Sequence, residues 1–500
     1  MVHTEEITIS ALPAIAVLLP LLSTGPVSFA RGAISEGFRD YLAIGVSVIT
    51  FLAVMAMIPT LMGGKIIEYV LISKEVTPVE IAFRVDHLGL IVAIASSFVW
   101  MLATIYSRGY MAHEHAKDRY YSFMVLTLGA MMGIVLTKNL FALYIFFEMM
   151  TLSSYVLVIH EETKEALSAG KKYLFISIGF GLFLLLSILV TYMMAGTLNL
   201  DQIGILPHEA VSKLAYGTLF FAFIAGFGTK AGMFPVHIWL PDAHPAAPSP
   251  ASALLSGVMI KAGAYGIIRV IYNVFGPELV SEIGVNTILA ILAGITIFLG
   301  SAVAISQKEI KRMLAYSSIS QIGYVILGAA LLTNDGLKGG IFHIFNHAFM
   351  KGCLFLCAGA VIHQTGLRNI DDFGELGQKM PVTMLCFTIA AVSMIGVPPL
   401  NGFVSKWILC LGAIEAGNIV LVLFVAVLLL SSLMNAIYYM PVIIKAFFGP
   451  KSKEPVEKVD PELSMLIPIV ALALGCLIFG ICANLPLSII ELAVHTLLLR

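Results

Sequence analysis

Long runs of hydrophobic residues, separated by short polar segments, fill almost all of this chain. A helix needs about 20 mostly apolar residues to cross a bilayer, and fourteen runs approach or exceed that length. We place these predicted spans at residues 7–30, 41–62, 88–107, 120–137, 139–160, 171–195, 215–241, 249–274, 287–306, 313–333, 338–364, 381–411, 418–448 and 464–484. The pattern predicts an all-α polytopic membrane protein. The tail 485–500 is too short to span again, and we expect it to lie along the membrane surface.

Composition supports this class. The chain is 59% hydrophobic and only 12% charged, with a mean hydropathy of +0.96, whereas soluble domains carry about 25% charged residues. A net charge of −1 gives no indication of nucleic-acid binding. The six cysteines lie in apolar stretches without a CxxC pair, so we expect no disulfide framework, metal site or cofactor. The first apolar run lacks a basic flank, and we interpret it as a retained helix.

The basic residues predict the orientation of the spans. Segments after odd-numbered spans carry 17 Lys and Arg, and segments after even-numbered spans carry 6. The positive-inside rule therefore places the odd-numbered loops in the cytoplasm and both termini on the outer side. We expect a multi-pass protein of a prokaryotic plasma membrane.

Two predicted spans contain helix-breaking residues. The seventh includes Gly228 to Pro235, and the twelfth includes Gly396 to Gly402 with the pair Pro398–Pro399. Proline removes a backbone donor and clashes with the preceding turn. The two spans run in opposite directions, and each is fourth in a run of five, which favours an inverted repeat over two ordinary kinks. We divide the chain into N-terminal helices, two repeats and a C-terminal part at 1–119, 120–274, 287–448 and 464–500.

Five charged residues lie inside the apolar spans. A charge at the bilayer centre costs on the order of 3 kcal/mol or more, so such residues usually serve ion movement. The five residues are Glu148, Lys230, Lys261, Lys351 and Lys406. We expect Glu148 and Lys230 to form a charge pair, directly or through water. The alternative is a fixed ion pair that only ties helices together.

The eleventh span adds titratable groups at helical spacing. His343, His347 and Lys351 follow at i, i+4 and i+8, which places them on one face. Histidine can relay a proton through either ring nitrogen, so the face is a candidate proton relay. Hydrogen-bonded core histidines are the alternative. Haem ligation is disfavoured, because the two histidines are one turn apart and no matching pair occurs elsewhere.

Two further segments hold polar groups near these spans. The run Ser317–Gln321 could hydrate a relay or simply hold helices together. The segment 241–250 is too rich in proline for a helix, so we expect a cytoplasmic loop. Its residues Asp242 and His244 could gate proton access, as could the nearby His237 and the more distant His363. We favour a simpler role for Asp242, together with Ser249, as helix caps.

The segment from Lys230 to Arg269 resembles one family. Its motif reads Thr229-Lys230, Pro235-Val-His-Ile-Trp-Leu-Pro-Asp-Ala-His244, Ala247-Pro248 and Lys261-Ala-Gly-Ala-Tyr-Gly266. This is similar to the signature of antiporter-like subunits of respiratory complex I, Mrp-type cation/proton antiporters and membrane-bound hydrogenases. The resemblance continues through His343, His347 and Lys351 to Lys406, and covers about residues 85–450.

The resemblance implies fourteen helices, two inverted five-helix units and a central hydrophilic axis. It implies that Glu148 and Lys230 are the family's glutamate–lysine pair. Lys261 then corresponds to the central lysine and Lys406 to the terminal lysine, and the histidines of the eleventh span correspond to the groups that connect these two lysines. A terminal glutamate and a long lateral C-terminal helix, found in some complex I members, are absent. These departures favour a D-type Mrp subunit or a hydrogenase-type relative.

Three functions remain open from the sequence. The first is a proton-translocating subunit of a redox-driven complex, hydrogenase-like or complex I-like, with redox chemistry supplied by partner subunits. The second is a D-type subunit of an Na⁺/H⁺ antiporter, and the third is a structural scaffold. The chain shows no nucleotide motif or redox ligand set, so it is not expected to be catalytic alone. Expected partners are other membrane subunits, including related antiporter-like ones, together with protons, sodium ions and lipid.

Overall fold

Long helices form the whole body of the protein. The computed structural model describes residues 6–29, 36–73, 80–208, 211–449 and 457–498. The helices are α1 (Leu12–Phe29), α2 (Glu36–Met55), α3 (Ile58–Met62), α4 (His87–Tyr110), α5 (Lys117–Leu136), α6 (Leu140–Val158), α7 (Lys164–Ala195), α8 (Lys213–Ala231), α9 (Leu240–Ala246), α10 (Ser249–Leu254), α11 (Ile260–Arg269), α12 (Pro277–Ile283), α13 (Val285–Ile305), α14 (Ile310–Ala330), α15 (Asn334–Thr365), α16 (Leu376–Lys379), α17 (Pro381–Ile395), α18 (Asn401–Glu415), α19 (Ile419–Val422), α20 (Phe424–Phe448), α21 (Leu463–Ile481) and α22 (Asn484–Leu498).

These helices confirm the membrane class. Thirteen helical stretches in the described ranges are long and apolar enough to cross a membrane. The remaining predicted span, 381–411, is divided into α17 and α18, each too short to qualify alone. The tail forms α22, which buries Ile490, Val494 and their neighbours inside the bundle.

A three-stranded sheet lies at one end of the bundle, and the sequence analysis missed it. Strand β1 (Glu6–Ile9) pairs in parallel with β2 (Lys65–Ile72), which pairs antiparallel with β3 (Ile81–Val85). Residues 7–9 of β1 fall within the predicted first span, because a short apolar strand cannot be told from the end of a helix by hydropathy. We call this end of the bundle, with the sheet and Asp86, the sheet face. The opposite end, with Glu114 and Asp242, is the loop face.

Both predicted helix interruptions are present. Helix α8 ends at Ala231, where Gly232 has a φ of 76°, and the next helix begins only at Leu240. Helix α17 ends at Ile395, where Gly396 has a φ of 94°, and α18 begins at Asn401. A side chain at either glycine would be strained in this left-handed conformation. The division into repeats at the predicted boundaries stays a prediction.

The proline-rich segment 241–250 is mostly helical, with a break only at Ala247 and Pro248 between α9 and α10, so the expected loop is wrong. Pro241 and Pro250 occupy the first turns of α9 and α10. A missing N–H costs nothing there, because the first amides of a helix have no intrahelical partner. The capping role is also wrong. Ser249 makes no cap bond for α10, and Asp242 forms ion pairs with Lys172 at 2.8 Å and Arg312 at 3.6 Å.

Two π-helical segments flank α11. They comprise Leu255–Met259 and Val270–Phe275, and with α10 and α11 they form one fully buried stretch. A π-turn shifts the register of backbone hydrogen bonds and often occurs at functional sites. The stretch carries Lys261 near its middle.

Candidate functional site

Lys230 lies in the last turn of α8, in a pocket of hydroxyl and aromatic groups. Its amine is buried and donates to the Thr151 hydroxyl at 3.0 Å and to the Tyr173 hydroxyl. The ammonium also lies 5.8 Å from the ring centroid of Phe147 and 4.8 Å from that of Tyr173. Aromatic faces and hydroxyls stabilise a cation without neutralising it. This pocket therefore gives the Lys230 amine hydroxyl and aromatic partners but no direct carboxylate contact.

Glu148 lies nearby on α6 but makes no direct ion pair with Lys230. Its Oε1 is buried and has no hydrogen-bond partner among the described residues. The two side chains still attract each other electrostatically. A Cβ at Gly181 would lie 2.5 Å from Oε1, so only glycine leaves room for this carboxylate. The predicted contact through water stays a prediction.

A buried pair of serine hydroxyls lies between Lys261 and Lys351. The Lys261 amine donates to the carbonyl of Ser256, in the first π-helical segment. The hydroxyls of Ser256 and Ser318 lie 2.6 Å apart, and Ser318 donates to the Leu314 carbonyl at 2.8 Å. That carbonyl also accepts from the Lys351 amine at 2.8 Å. Each amine is therefore bound to a backbone carbonyl, of Ser256 or of Leu314, and the two serine hydroxyls lie between these carbonyls.

Lys351 and Lys406 have similar surroundings. Lys351 also donates to Ser317 Oγ at 2.6 Å and Tyr439 Oη at 3.3 Å. Lys406 donates to the carbonyls of Met394 and Ile395 at 2.7 and 3.1 Å. Those carbonyls end α17, so the interruption supplies acceptors to the lysine, as expected of a broken membrane helix.

The histidines of α15 lie between these lysines. The rings of His343 and His347 stack with centroids 5.7 Å apart. His343 contacts Ser405 Oγ and Gln321 Oε1, each at 3.0 Å, and Ser405 precedes Lys406 in α18. Both ring nitrogens of His347 are buried without a partner among the described residues. An unpartnered imidazole in a fully buried site is a place where water or a proton can bind.

Charge balance in this cluster is unusual. None of the four lysine amines lies within 4.0 Å of a carboxylate oxygen in the described part of the chain. All four lysines are less than 9% exposed. Their hydrogen-bond partners are neutral carbonyls and hydroxyls, so each proton is held without a fixed counter-charge.

A polar vestibule opens on the loop face. It has a volume of about 1000 Å³, and its walls include Glu114, Glu161, Asp242, Arg312 and His363. Burial and the neighbouring Glu114 raise the pKa of the Glu161 carboxyl. Glu161 is thus closer to accepting a proton at neutral pH than an exposed glutamate is.

His244 and Lys311 lie between the vestibule and the lysines. Lys311 is buried and donates to the carbonyls of Ala247 at 2.5 Å and Pro245 at 3.4 Å. His244 is fully buried, stacks on Phe355 at 4.8 Å and has two unpartnered ring nitrogens among the described residues. The charged groups that act on it electrostatically are Lys311, Lys351 and Lys261. A role of His244 as a connection between the vestibule and the buried lysines stays a prediction.

The other two candidate gating histidines lie outside this cluster. His363 is exposed in the vestibule and packs against Tyr110 at 5.4 Å. His237 lies in the interruption after α8, 6.0 Å from the ring of Phe234. No hydrogen bond among the described residues joins Lys230 to Lys261, so a continuous path between them stays a prediction.

Several residues of the site escaped the sequence analysis. They are Thr151, Tyr173, Ser256 and Lys311. Lys311 had a detectable signal, because it follows Glu309 at the start of an apolar helix, but it was counted as a loop residue. The hydroxyl residues had none, because Ser, Thr and Tyr are common in membrane helices.

Comparison with known proteins agrees with this arrangement. Residues 137–431 match the family described as NADH:quinone oxidoreductase/Mrp antiporter, transmembrane. Residues 72–121 match the N-terminal family of NADH-ubiquinone oxidoreductase chain 5. The chain belongs to this antiporter-like family.

Relatives occur in several kinds of complex. The chain is 36% identical to the NADH-quinone oxidoreductase subunit N of Desulforudis audaxviator, over 94% of this chain and 95% of that one. It is 31% identical to the D subunit of the Na⁺/H⁺ antiporter of Alkalihalophilus pseudofirmus, over 81% of each. It is also 31% identical to hydrogenase-4 component B of Escherichia coli, over 83% of this chain and 65% of that one. Both redox and antiporter complexes therefore contain relatives of this antiporter-like chain.

Solved structures show the same fold. A chain of an archaeal membrane-bound sulfane sulfur reductase superposes with a TM-score of 0.88, at 28% identity over 98% of both chains. Chains of the Mrp complex from Dietzia and of respiratory complex I from Thermus thermophilus give 0.84 and 0.83, each at 22% identity over at least 97% of both chains. The protein is an antiporter-like, multi-pass subunit of a prokaryotic plasma membrane, with other membrane subunits as partners.

Proposed function

We propose that this antiporter-like chain moves protons across the membrane as a subunit of a redox-driven complex. The observation that carries the proposal is the set of four buried lysines without a carboxylate contact among the described residues, with the hydroxyl pair of Ser256 and Ser318 between Lys261 and Lys351. A purely structural charge would be paired with a carboxylate. These amines instead bind neutral hydroxyls and backbone carbonyls; a hydroxyl can both donate and accept a proton, whereas a carbonyl only accepts a hydrogen bond.

Because no carboxylate among the described residues neutralises these lysines, the charge of one lysine affects the proton affinity of the next. Two unit charges 8 Å apart repel by about 2 kcal/mol at an effective dielectric constant of 20. Protonation of Lys351 therefore favours loss of the proton from Lys261, and the reverse holds as well. His343 and His347 extend this coupling towards Lys406, whereas Glu148 stabilises the proton on Lys230. Gain or loss of a proton at one end of the axis therefore alters the proton affinity of the lysines and histidines along it.

Protons reach this axis from the loop face. The vestibule carboxylates Glu161 and Asp242 collect them, with His363 at the wall, and His244 passes them to the lysines. His237, in the interruption after α8, serves the Lys230 end. Because the loop face carries the excess of Lys and Arg, we assign it to the cytoplasm. Both termini then lie on the outer side.

The test is transport by the intact complex in vesicles. Lys261→Met keeps the length of the side chain without its charge and should abolish proton transport while the complex still assembles. Lys261→Arg should also impair transport, since a guanidinium does not release its proton. Lys338→Met is the matched control, because Lys338 is paired with Asp335 and Glu491 at the surface. Full transport by Lys261→Met would refute the proton axis.

A second function is a D-type subunit of a Na⁺/H⁺ antiporter without redox chemistry. Lys406 at the terminal position and the 31% identity to the D subunit of an antiporter favour it. The purified complex separates the two. Proton transport driven by a redox substrate supports the first, and transport driven only by a sodium gradient supports the second. A complex that assembles and works with all four lysines neutralised would be consistent only with a scaffold.

A further inference from the structure

A polar stripe runs from Lys261 towards the sheet face. Tyr265, Arg269 and Asn273 follow Lys261 at intervals of four residues, in the buried stretch that contains α11. Residues four apart lie on one face of a helix, and the stripe is about 18 Å long at 1.5 Å per residue. None of Tyr265, Arg269 and Asn273 has a role in the proton axis described above.

An ion pair stands near the sheet-face end of this stripe. The Arg269 guanidinium donates to both carboxylate oxygens of Asp86, each at 2.7 Å. It also contacts Tyr265 Oη at 2.9 Å and Asn273 Oδ1 at 3.1 Å. Tyr265 in turn donates to the Val135 carbonyl at 3.1 Å. Arg269 therefore connects every polar group of the stripe beyond Lys261.

Exposure changes sharply across the pair. Tyr265 is fully buried, whereas the side chains of Arg269 and Asp86 are 3% and 16% exposed. A surface pocket of about 10 Å³, room for about one water molecule, reaches Asp86 and Asn273 from the sheet face. The ion pair is thus the boundary between surface water and the buried stripe.

Asp86 precedes α4, and its Oδ1 also accepts a hydrogen bond from the Gly89 N–H at 2.8 Å. A Cβ at Gly89 would lie 2.3 Å from the Val135 carbonyl oxygen and 3.2 Å from Asp86 Oδ1. Glycine lets the start of α4 approach the end of α5, which brings Asp86 beside the Tyr265–Val135 contact. Meanwhile the Lys261 amine bonds to Ser256, on the side away from Tyr265. In this structure the Lys261 amine therefore points towards the loop face, and Arg269 is bound to Asp86.

We propose that the Asp86–Arg269 ion pair is the seal of a proton-release route that leads from Lys261 along this stripe to the sheet face. The proposal rests on the proposed proton axis. Release breaks an N–H bond of Lys261, and the proton passes through water beside Tyr265 to the Asp86 carboxylate and then to bulk water. Arg269 keeps its own proton throughout and acts as a positioning residue, since a guanidinium does not release its proton.

The electrostatics of Asp86 suit a closed seal. Burial by itself would raise the pKa of Asp86, but the charge and hydrogen bonds of Arg269 outweigh it, aided by the Gly89 N–H and by Arg84, and the net pKa lies below its ordinary value. Asp86 is therefore ionised and bound to Arg269 at neutral pH. It becomes a proton acceptor only when Arg269 moves away.

The alternative is that the pair only fastens α11 to the start of α4. The labelling rate of a cysteine placed at residue 265 distinguishes the two. Each variant is therefore made together with Tyr265→Cys. A parallel sample of each variant without Tyr265→Cys gives the labelling of the native cysteines, which is subtracted. The complex is placed in right-side-out vesicles, and a charged, membrane-impermeant methanethiosulfonate is added outside. In Asp86→Asn, labelling should accelerate at least about tenfold, because the neutral amide no longer holds Arg269. Arg269→Lys should stay slow, because it retains a charge pair.

The matched control is Asp118→Asn. Asp118 binds Arg39, an equally buried arginine, at 2.7 Å, near the loop-face end of α5. Asp118→Asn should leave the labelling rate of the cysteine at residue 265 unchanged. In vesicles without Tyr265→Cys, Asp86→Asn should also lower the proton gradient reached while the driving reaction continues.

Unchanged labelling in both Asp86→Asn and Arg269→Gln would overturn the seal, whether or not these variants also assemble poorly. That failure is separate from failure of the proton axis. Lys261→Met would still abolish transport if only the seal were wrong, and it would retain transport if the axis itself were wrong.

Discussion

Ser318→Ala tests whether a single hydroxyl carries protons between two buried lysines. The change removes a contact of 2.6 Å to Ser256 and a hydrogen bond of 2.8 Å to the Leu314 carbonyl. It leaves the Lys351 amine bound to Leu314, Ser317 and Tyr439. The alteration is therefore confined to the link between the two amines.

The expected cost to stability is small. Each buried hydrogen bond contributes about 0.5–1.5 kcal/mol, so two amount to about 1–3 kcal/mol. Measurements inside membrane proteins average about 0.6 kcal/mol per bond, which favours the lower end of that range. A complex of this size should still assemble. The effect on transport should be larger, because the lost hydroxyl leaves less space than the roughly 30 Å³ share of a water molecule.

We therefore expect Ser318→Ala to slow proton transport by about 10- to 100-fold, which corresponds to a barrier increase of about 1.4–2.8 kcal/mol. The assay is proton uptake by inverted vesicles that contain the complex, followed with a pH-sensitive dye and normalised to assembled protein. A delay of this size without loss of assembly would place the hydroxyl in the path.

Ser320→Ala is the matched control on the same helix. Ser320 is equally buried and lies 2.8 Å from Ser301 Oγ and 3.4 Å from Ser431 Oγ. It contacts no lysine of the axis, so its loss should affect only packing. Equal transport by the Ser318 and Ser320 variants would refute the hydroxyl bridge as the route between Lys261 and Lys351.

Three further predictions concern carboxylates. Gly181→Ala should reduce transport, because the new Cβ displaces Glu148 Oε1. Gly179→Ala is the control and should not change transport, since no atom lies within 4 Å of its Cβ position. Equal transport rates in vesicles with the two variants would contradict this. Glu148→Ala should abolish transport and leave the complex intact on native gels; retained transport would remove Glu148 from the axis. Finally, Arg269 lowers the pKa of Asp86 below 3.8. The stability from this pair is complete above that value and is lost as the pH falls through the lower folded pKa. Asp86→Asn should therefore flatten the fall in melting temperature below about pH 4, and an unchanged acid profile would contradict the linkage.

The helical elements were predictable because each depends on a local property. A run of about 20 apolar residues is stable across a bilayer whatever its neighbours are, and proline disrupts a helix through its own missing donor. The interruptions at Pro235 and Pro398–Pro399 follow directly. The helical segment 241–250 did not follow, because proline at the first turn costs nothing, and the position of that turn was decided by packing.

The lysines of the axis were also predictable, since the cost of a charge in hydrocarbon belongs to the residue itself. Their partners were not. Which hydroxyl meets Lys230 or Lys351 depends on how helices rotate about their axes and which of them are neighbours. Arg269 shows the same limit, because its position near a helix end was visible and its partner Asp86 lies 183 residues earlier.

The sequence by itself determined the membrane class, the spans, the two interruptions and the set of buried charges, because hydrophobicity and charge act residue by residue. Only the tertiary structure decided the serine bridge between Lys261 and Lys351, the site beside Gly181 that receives Glu148, and the closure of the sheet face by Asp86 and Arg269. Each of these needs atoms from distant segments to meet within about 3 Å. Such distances are set by the packing of the whole bundle, and no local pattern along the chain records them.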